Sequence, residues 1–172
     1  MEKEIINRVS NSGLVSLDLE ELYPETEIAP FDVSNLLWQG LVLREKEFRE
    51  ALKNTDWSIF KGKTVAIFCS ADAIVPTWAY MLISIYLSQH GILHEFGKPD
   101  DVFKVKFIER IKEIDYQKYE NAKVVVKGCS KKEVPLEVFV KVTENLFQHA
   151  SSIMFGEPCS TVPLWKKQKY NA

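Results

Sequence analysis

The chain repeats itself, and no other feature of the sequence restricts its fold as strongly. Sliding the sequence by 59 or 60 positions pairs Phe48 with Phe107, Glu50 with Glu109, Lys53 with Lys112, Asp56 with Asp115, and Trp57 with Tyr116. The match continues through Lys63 and Lys123, Val65 and Val125, Cys69 and Cys129, Ser70 and Ser130, Val75 and Val134, and Pro76 and Pro135. It closes with Leu87 and Leu146, Gln89 and Gln148, His90 and His149, Phe96 and Phe155, and Gly97 and Gly156. Fifteen of these pairs are identical, where chance matching over roughly fifty positions gives about three. The alignment needs one inserted residue between Lys118 and Lys123 and one lost between Cys129 and Pro135, both where loops absorb them.

Each copy reads helix, strand, loop, helix, strand. In the first, LREKEFREALKN is an amphipathic helix, KTVAIF a β-branched strand, PTWAYMLISIYLSQH a second helix and ILHEF a closing strand. The second copy runs DDVFKVKFIERIKEI, KVVVK, PLEVFVKVTENLFQH and SSIMF. Alternation of this kind predicts an α/β fold, a mostly parallel sheet with helices on both faces, built by internal duplication. The stretch from Trp78 to Leu87 is apolar almost all round and is expected to be a central helix, with PLEVFVKVTENLFQH peripheral. One domain over residues 1–172 is expected: an N-terminal appendage (1–38) covering a sheet edge, repeats at 39–97 and 98–156, and a cysteine loop and tail at 157–172. Within the appendage LVSLDLEEL alternates like a strand, and YPETEIAPFD reads as a loop.

A content of 46% hydrophobic and 27% charged residues suffices for a real core, which excludes disorder and coiled-coil readings. Net charge is only -2, so no global field draws the chain to nucleic acid or an anionic membrane. The opening MEKEIINRVSNS lacks the apolar run of a signal peptide, and the Trp78–Leu87 stretch is too short to span a bilayer. A cytoplasmic protein is expected, with neither nucleic acid nor membrane among its partners. The oligomeric state is not readable.

The three cysteines all sit in one phrase, Cys-Ser followed within one to four residues by Val-Pro. It occurs at Cys69-Ser70 with Val75-Pro76, at Cys129-Ser130 with Val134-Pro135, and at Cys159-Ser160 with Val162-Pro163. Each cysteine follows a predicted strand, and proline suits the first turn of a helix, because its missing amide would lack a partner there. Cys69 and Cys129 are thus expected in strand-to-helix loops beside a helix amino terminus, on the edge where open α/β sheets gather their ligands, and Cys159 starts on that same edge. A helix amino terminus favours thiolate, the form that binds soft metals.

Three converging thiolates suit zinc with an exchangeable fourth ligand, or an iron–sulfur cluster with one open iron. Ser70, Ser130 and Ser160 would line the cofactor, and Asp72, Glu133 and Glu157 are candidates for a fourth ligand or an acid/base role. Whether such a protein is an enzyme is left open. Two alternatives stand beside this reading: a thiol–disulfide redox protein using two of the cysteines, and a structural or interaction module in which the cysteines fill the core.

Other conspicuous residues read as structural. His90 and His149 end helices whose starts adjoin the cysteine loops, which places them about 20 Å from the thiols at 1.5 Å per residue. Their position favours the helix dipole. His94 lies inside a short strand. Asp56-Trp57 and Asp115-Tyr116 look like turn caps with an aromatic staple, and the terminal LWKKQKY like a solvated tail. No glycine-rich phosphate loop, nucleophile elbow or HExxH is present.

The stretches CSADAIVPTWAYM, KGCSKKEVP and FGEPCSTVP, together with the opening EKEIINRVSNSGLVSLDLE, resemble a bacterial domain-of-unknown-function family over nearly the whole chain. The resemblance implies no activity and carries over no catalytic residue. It does imply an association with SUF iron–sulfur assembly genes, and hence iron–sulfur assembly proteins as partners.

Overall fold

The computed structural model describes residues 13–128 and 131–168. In chain order the strands are β1 (Leu14–Asp18), β2 (Ile28–Asp32), β3 (Thr64–Phe68), β4 (Leu93–Phe96), β5 (Lys123–Lys127), β6 (Ser152–Glu157) and β7 (Ser160–Lys166). The helices are α1 (Glu45–Asn54), α2 (Thr77–Gln89), α3 (Pro99–Lys112) and α4 (Leu136–His149). The fold is mixed α/β and dominated by parallel pairing, as the alternation predicts. The strands, however, form two sheets rather than one, in the orders β2-β3-β4 and β1-β5-β6-β7. The chain accordingly divides into two compact units, one of Glu25–Val105 and one of Met1–Pro24 with Lys106–Ala172.

In the unit of Glu25–Val105 the three strands are parallel, with Ala29 beside Val65 and Phe31 beside Ile67. Those four residues share one face and join a single apolar cluster with Phe48 and Leu52 of α1 and Ala79, Ile83 and Leu87 of α2. Spacings of three and four residues put each helical set on one stripe. The apolar stretch of α2 is not central, though: Met81 and Ile85 stand exposed, because the sheet ends at β4 and nothing within the unit covers that side.

In the other unit β1, β5 and β6 are parallel and β7 closes antiparallel on β6. Val124, Val125 and Val126 of β5 are buried with Val138, Val142 and Leu146 of α4 and Ile153 of β6. A near-continuous apolar run is what a central parallel strand requires.

Two expectations for the ends of the chain are corrected. The N-terminal segment is no appendage to a single sheet: it supplies β1 to one sheet and β2 to the other. Within it IAPFD is a strand rather than loop, and Pro30 is tolerated because β2 is an edge. The segment LWKKQKY, read as a solvated tail, begins with the last three residues of β7, where Trp165 packs on Phe147 of α4 with ring centroids 4.8 Å apart.

The two units repeat their elements at a constant spacing. Asp56 and Asp115 each cap a 3-10 turn by accepting from the amide two residues on, that of Ser58 at 3.0 Å and that of Gln117 at 3.2 Å. Trp57 Nε1 donates to the Leu52 carbonyl and the Tyr116 hydroxyl to that of Ile111, both at 3.1 Å. Trp57 stacks with His90 and Tyr116 with His149, while Tyr80–Phe96 and Phe139–Phe155 are edge-to-face pairs. Thr64 lies beside Leu93 as Lys123 lies beside Ser152. Each of these correspondences spans 59 residues.

The inserted and lost residues of the sequence alignment therefore do not exist. Asn121, placed near the proposed insertion, occupies the left-handed turn position of Gly62, with φ of 57° and 76° respectively. With the spacing held at 59, Cys69 corresponds to Gly128 and Ser70 to Cys129. A steric reason is visible at Gly128, where φ is 150° and a Cβ would come 2.9 Å from Leu19 Cβ. A side chain there would be strained, and the cysteine of this loop stands one residue further along.

Candidate functional site

The carboxyl end of the β2–β3 pair gathers a polar cluster beside Cys69. Asp32 ends β2 and opens a 3-10 turn, and its Oδ1 accepts from the Ser34 amide at 2.9 Å. The same oxygen accepts from the Ser70 amide at 3.0 Å, which ties the loop after β3 to the turn after β2. The hydroxyls of Ser34 and Ser70 share a hydrogen bond of 3.0 Å. Burial works to raise the Asp32 carboxyl, but hydrogen bonds from the Ser70 hydroxyl, the two amides and the Ser34 hydroxyl outweigh it and hold the group below its ordinary value.

Cys69 is half-buried against the apolar cluster, and its Sγ donates to the Ala71 carbonyl at 3.5 Å. Tyr80, on the first turns of α2, faces this corner: its phenol is pushed up by burial first, then by the negative charges that Cys69 and Asp32 can carry. Pro76 and Pro135 stand at the N-cap of α2 and α4, just outside the first turn where the sequence placed them. Their fixed φ still suits the entry. A thiol, a carboxylate and two hydroxyls are thus gathered at one sheet edge, a set able to bind a polar ligand.

The remaining predicted residues fall as follows. Asp72 is exposed in the loop after Ser70, and Glu133 is exposed ahead of α4. Glu157 ends β6, exposed; its charge is a minor contributor to holding the Lys127 ammonium up, after the hydrogen bond and charge of Asp18. Cys129 and Ser130 lie outside the described residues.

Cys159 is exposed in the two-residue turn Pro158–Cys159 that joins β6 to β7, and Ser160 begins β7. The third Cys-Ser-Val-Pro phrase therefore has a different structure from the first. Its Val162 and Pro163 lie in an edge strand, opposite Phe155 and Met154 beside a register shift, rather than at a helix entry. The loop ahead of α4 is gripped in its own way, by the Lys131 amide donating to Glu20 Oε1 at 3.0 Å.

The histidines are structural, as the sequence suggests. His90 caps α2 with Nδ1 2.7 Å from the Tyr86 carbonyl, His149 pairs with Glu120 at 3.1 Å, and His94 bridges Ser84 and the Ile92 carbonyl. Asp32, Ser34 and Tyr80 escaped the sequence reading. A signal for Asp32 was present: LDLEEL and FDVSNL both place Asp at a strand end, ahead of an apolar residue and a leucine four positions on. Both aspartates cap a 3-10 turn.

An α/β protein with parallel sheets and cysteine-bearing loops at their carboxyl edges is thereby defined. The chain belongs to the family described as protein of unknown function (DUF2480), whose model matches residues 3–167. Neither the curated proteins nor the solved structures contain a match. Among the described residues no helix is long and apolar enough to cross a membrane.

Proposed function

We propose that this is a cytoplasmic metal- or iron–sulfur-cluster-binding protein that uses the thiolates of Cys69, Cys129 and Cys159, working beside iron–sulfur assembly proteins. One observation supports the reading. Cys69 and Cys159 are free thiols that each follow the carboxyl end of a strand in a parallel ladder, where α/β proteins bind ligands. Among the described residues no three metal-ligating side chains stand together.

Zinc would supply Lewis acidity, and a cluster an open iron. In either case the chain's own part is to present the thiols: the Asp32 clamp on the Ser70 amide holds the Cys69 loop in place before any ligand arrives. The test is anaerobic purification of the full chain with zinc, iron and sulfide analysis and a visible spectrum. Stoichiometric metal, reduced by each of Cys69→Ser, Cys129→Ser and Cys159→Ser, is the expected result. Colourless, metal-free protein with all thiols titratable would sink the proposal.

A further inference from the structure

The two sheets differ at one edge. In the unit containing β6, the chain turns through Pro158–Cys159 and lays β7 antiparallel along β6, covering Phe155. The corresponding strand in the other unit is β4, whose Phe96 makes the same edge-to-face contact with Tyr80 that Phe155 makes with Phe139. After β4 the chain enters α3 at Pro99, and no described strand pairs with the far side of β4. Phe96 is consequently 73% exposed.

On the α2 side Met81 is 62% exposed and Ile85 52%, and both border with Phe96 an open groove of about 500 Å³ between α2 and β4; Leu93, 64% exposed, lies on the opposite face of the strand. Gly97 donates its amide inward to the Ile67 carbonyl. Backbone groups alternate along a strand, so His94 and Phe96 direct their N–H and C=O to the open side. An unpaired strand flanked by apolar side chains is a template for another strand.

We propose that a second copy of this chain occupies this edge, β4 pairing antiparallel with β4 across a two-fold axis to give a six-stranded sheet. A two-fold contact presents the same patch twice, so one set of outward groups and one apolar strip satisfy both partners. Phe96, Met81 and Ile85 leave on the order of 400 Å² per copy in water, so a pair buries at most about 800 Å² from this strip, and the paired backbone with Leu93 on the other face carries the contact toward the ~1,000 Å² at which specific interfaces begin. An antiparallel neighbour is also what β7 already provides to β6.

Sedimentation equilibrium of the full chain tests this, with a mass of twice 19.8 kDa expected. Phe96→Glu and Met81→Glu each place a charge on the strip, and each should weaken the dimer at least about tenfold. Val140→Glu, at the position of α4 that corresponds to Met81 and is 70% exposed, should leave it unchanged. Amide exchange on the wild type provides a measurement free of substitutions: the His94 and Phe96 amides should slow as concentration rises. A wild-type chain that stays monomeric at about 100 µM, or a dimer that keeps its affinity in both strip variants, overturns the proposal.

Discussion

Replacing Asp32 with alanine removes one oxygen that serves two segments. That oxygen caps the 3-10 turn of Val33–Leu36 through the Ser34 amide and anchors the loop bearing Cys69 through the Ser70 amide. A lost cap costs about 1 kcal/mol. The bond to Ser70 is solvent-exposed, and its loss adds about 0.5–1 kcal/mol once screening is allowed for. The expected loss of stability is thus roughly 1.5–2 kcal/mol, measured by urea denaturation at neutral pH. Asp32→Asn keeps an acceptor oxygen in place and should lose less than half as much.

The sign of the pH dependence follows from the depressed Asp32 carboxyl. Its contribution is complete above the ordinary aspartate value of about 3.9 and disappears as pH falls through the lower folded value. The gap between wild type and Asp32→Ala should therefore narrow in acid, toward the gap between Asp32→Asn and Asp32→Ala. Amide exchange at Ser34 and Ser70 should accelerate together in the variant. An Asp32→Ala protein within about 0.5 kcal/mol of wild type at neutral pH, or a deficit that does not shrink at all in strong acid, would refute the clamp.

Thr64 is 1% exposed and its hydroxyl has no hydrogen-bond partner, so Thr64→Val should stabilise the protein by about 1 kcal/mol in the same denaturation assay. Gly128→Ala forces a Cβ to within 2.9 Å of Leu19 at a φ of 150° and should cost about 1–3 kcal/mol. An unchanged melting temperature there would undo the steric account of why Cys129 stands one residue later than Cys69. Phe48→Ala should cost about 3–5 kcal/mol, because its ring, projecting from α1, is fully buried against Trp78 of α2; a smaller loss than that of Phe96→Ala would contradict the described core.

Much of the architecture is legible in the residues. Alternating apolar strands and helical stripes place β3, α2, β4, β5, α4 and β6, and the matched Asp56 and Asp115 turn caps stand where the repeat puts them. The cysteine phrase is legible as letters but misleading as geometry. Its first occurrence leads to a helix and its third lies in a hairpin, since Val-Pro fits both a helix entry and an edge strand. Asp32 went unseen because its importance rests on the Ser70 amide, 38 residues away, and short polar residues after a strand read equally well as plain loop.

Local pattern by itself placed the four helices and the strands β1, β3, β4, β5 and β6, because periodicity and capping act within a few residues of each position, but it did not find β2 or β7. Only the tertiary structure decided that the strands divide between two sheets, that β1 and β2 part to serve one each, and that β7 shields one edge while β4 stays open. Strand partners are chosen by burial and by hydrogen bonds between distant segments, and no window of neighbouring residues contains that information.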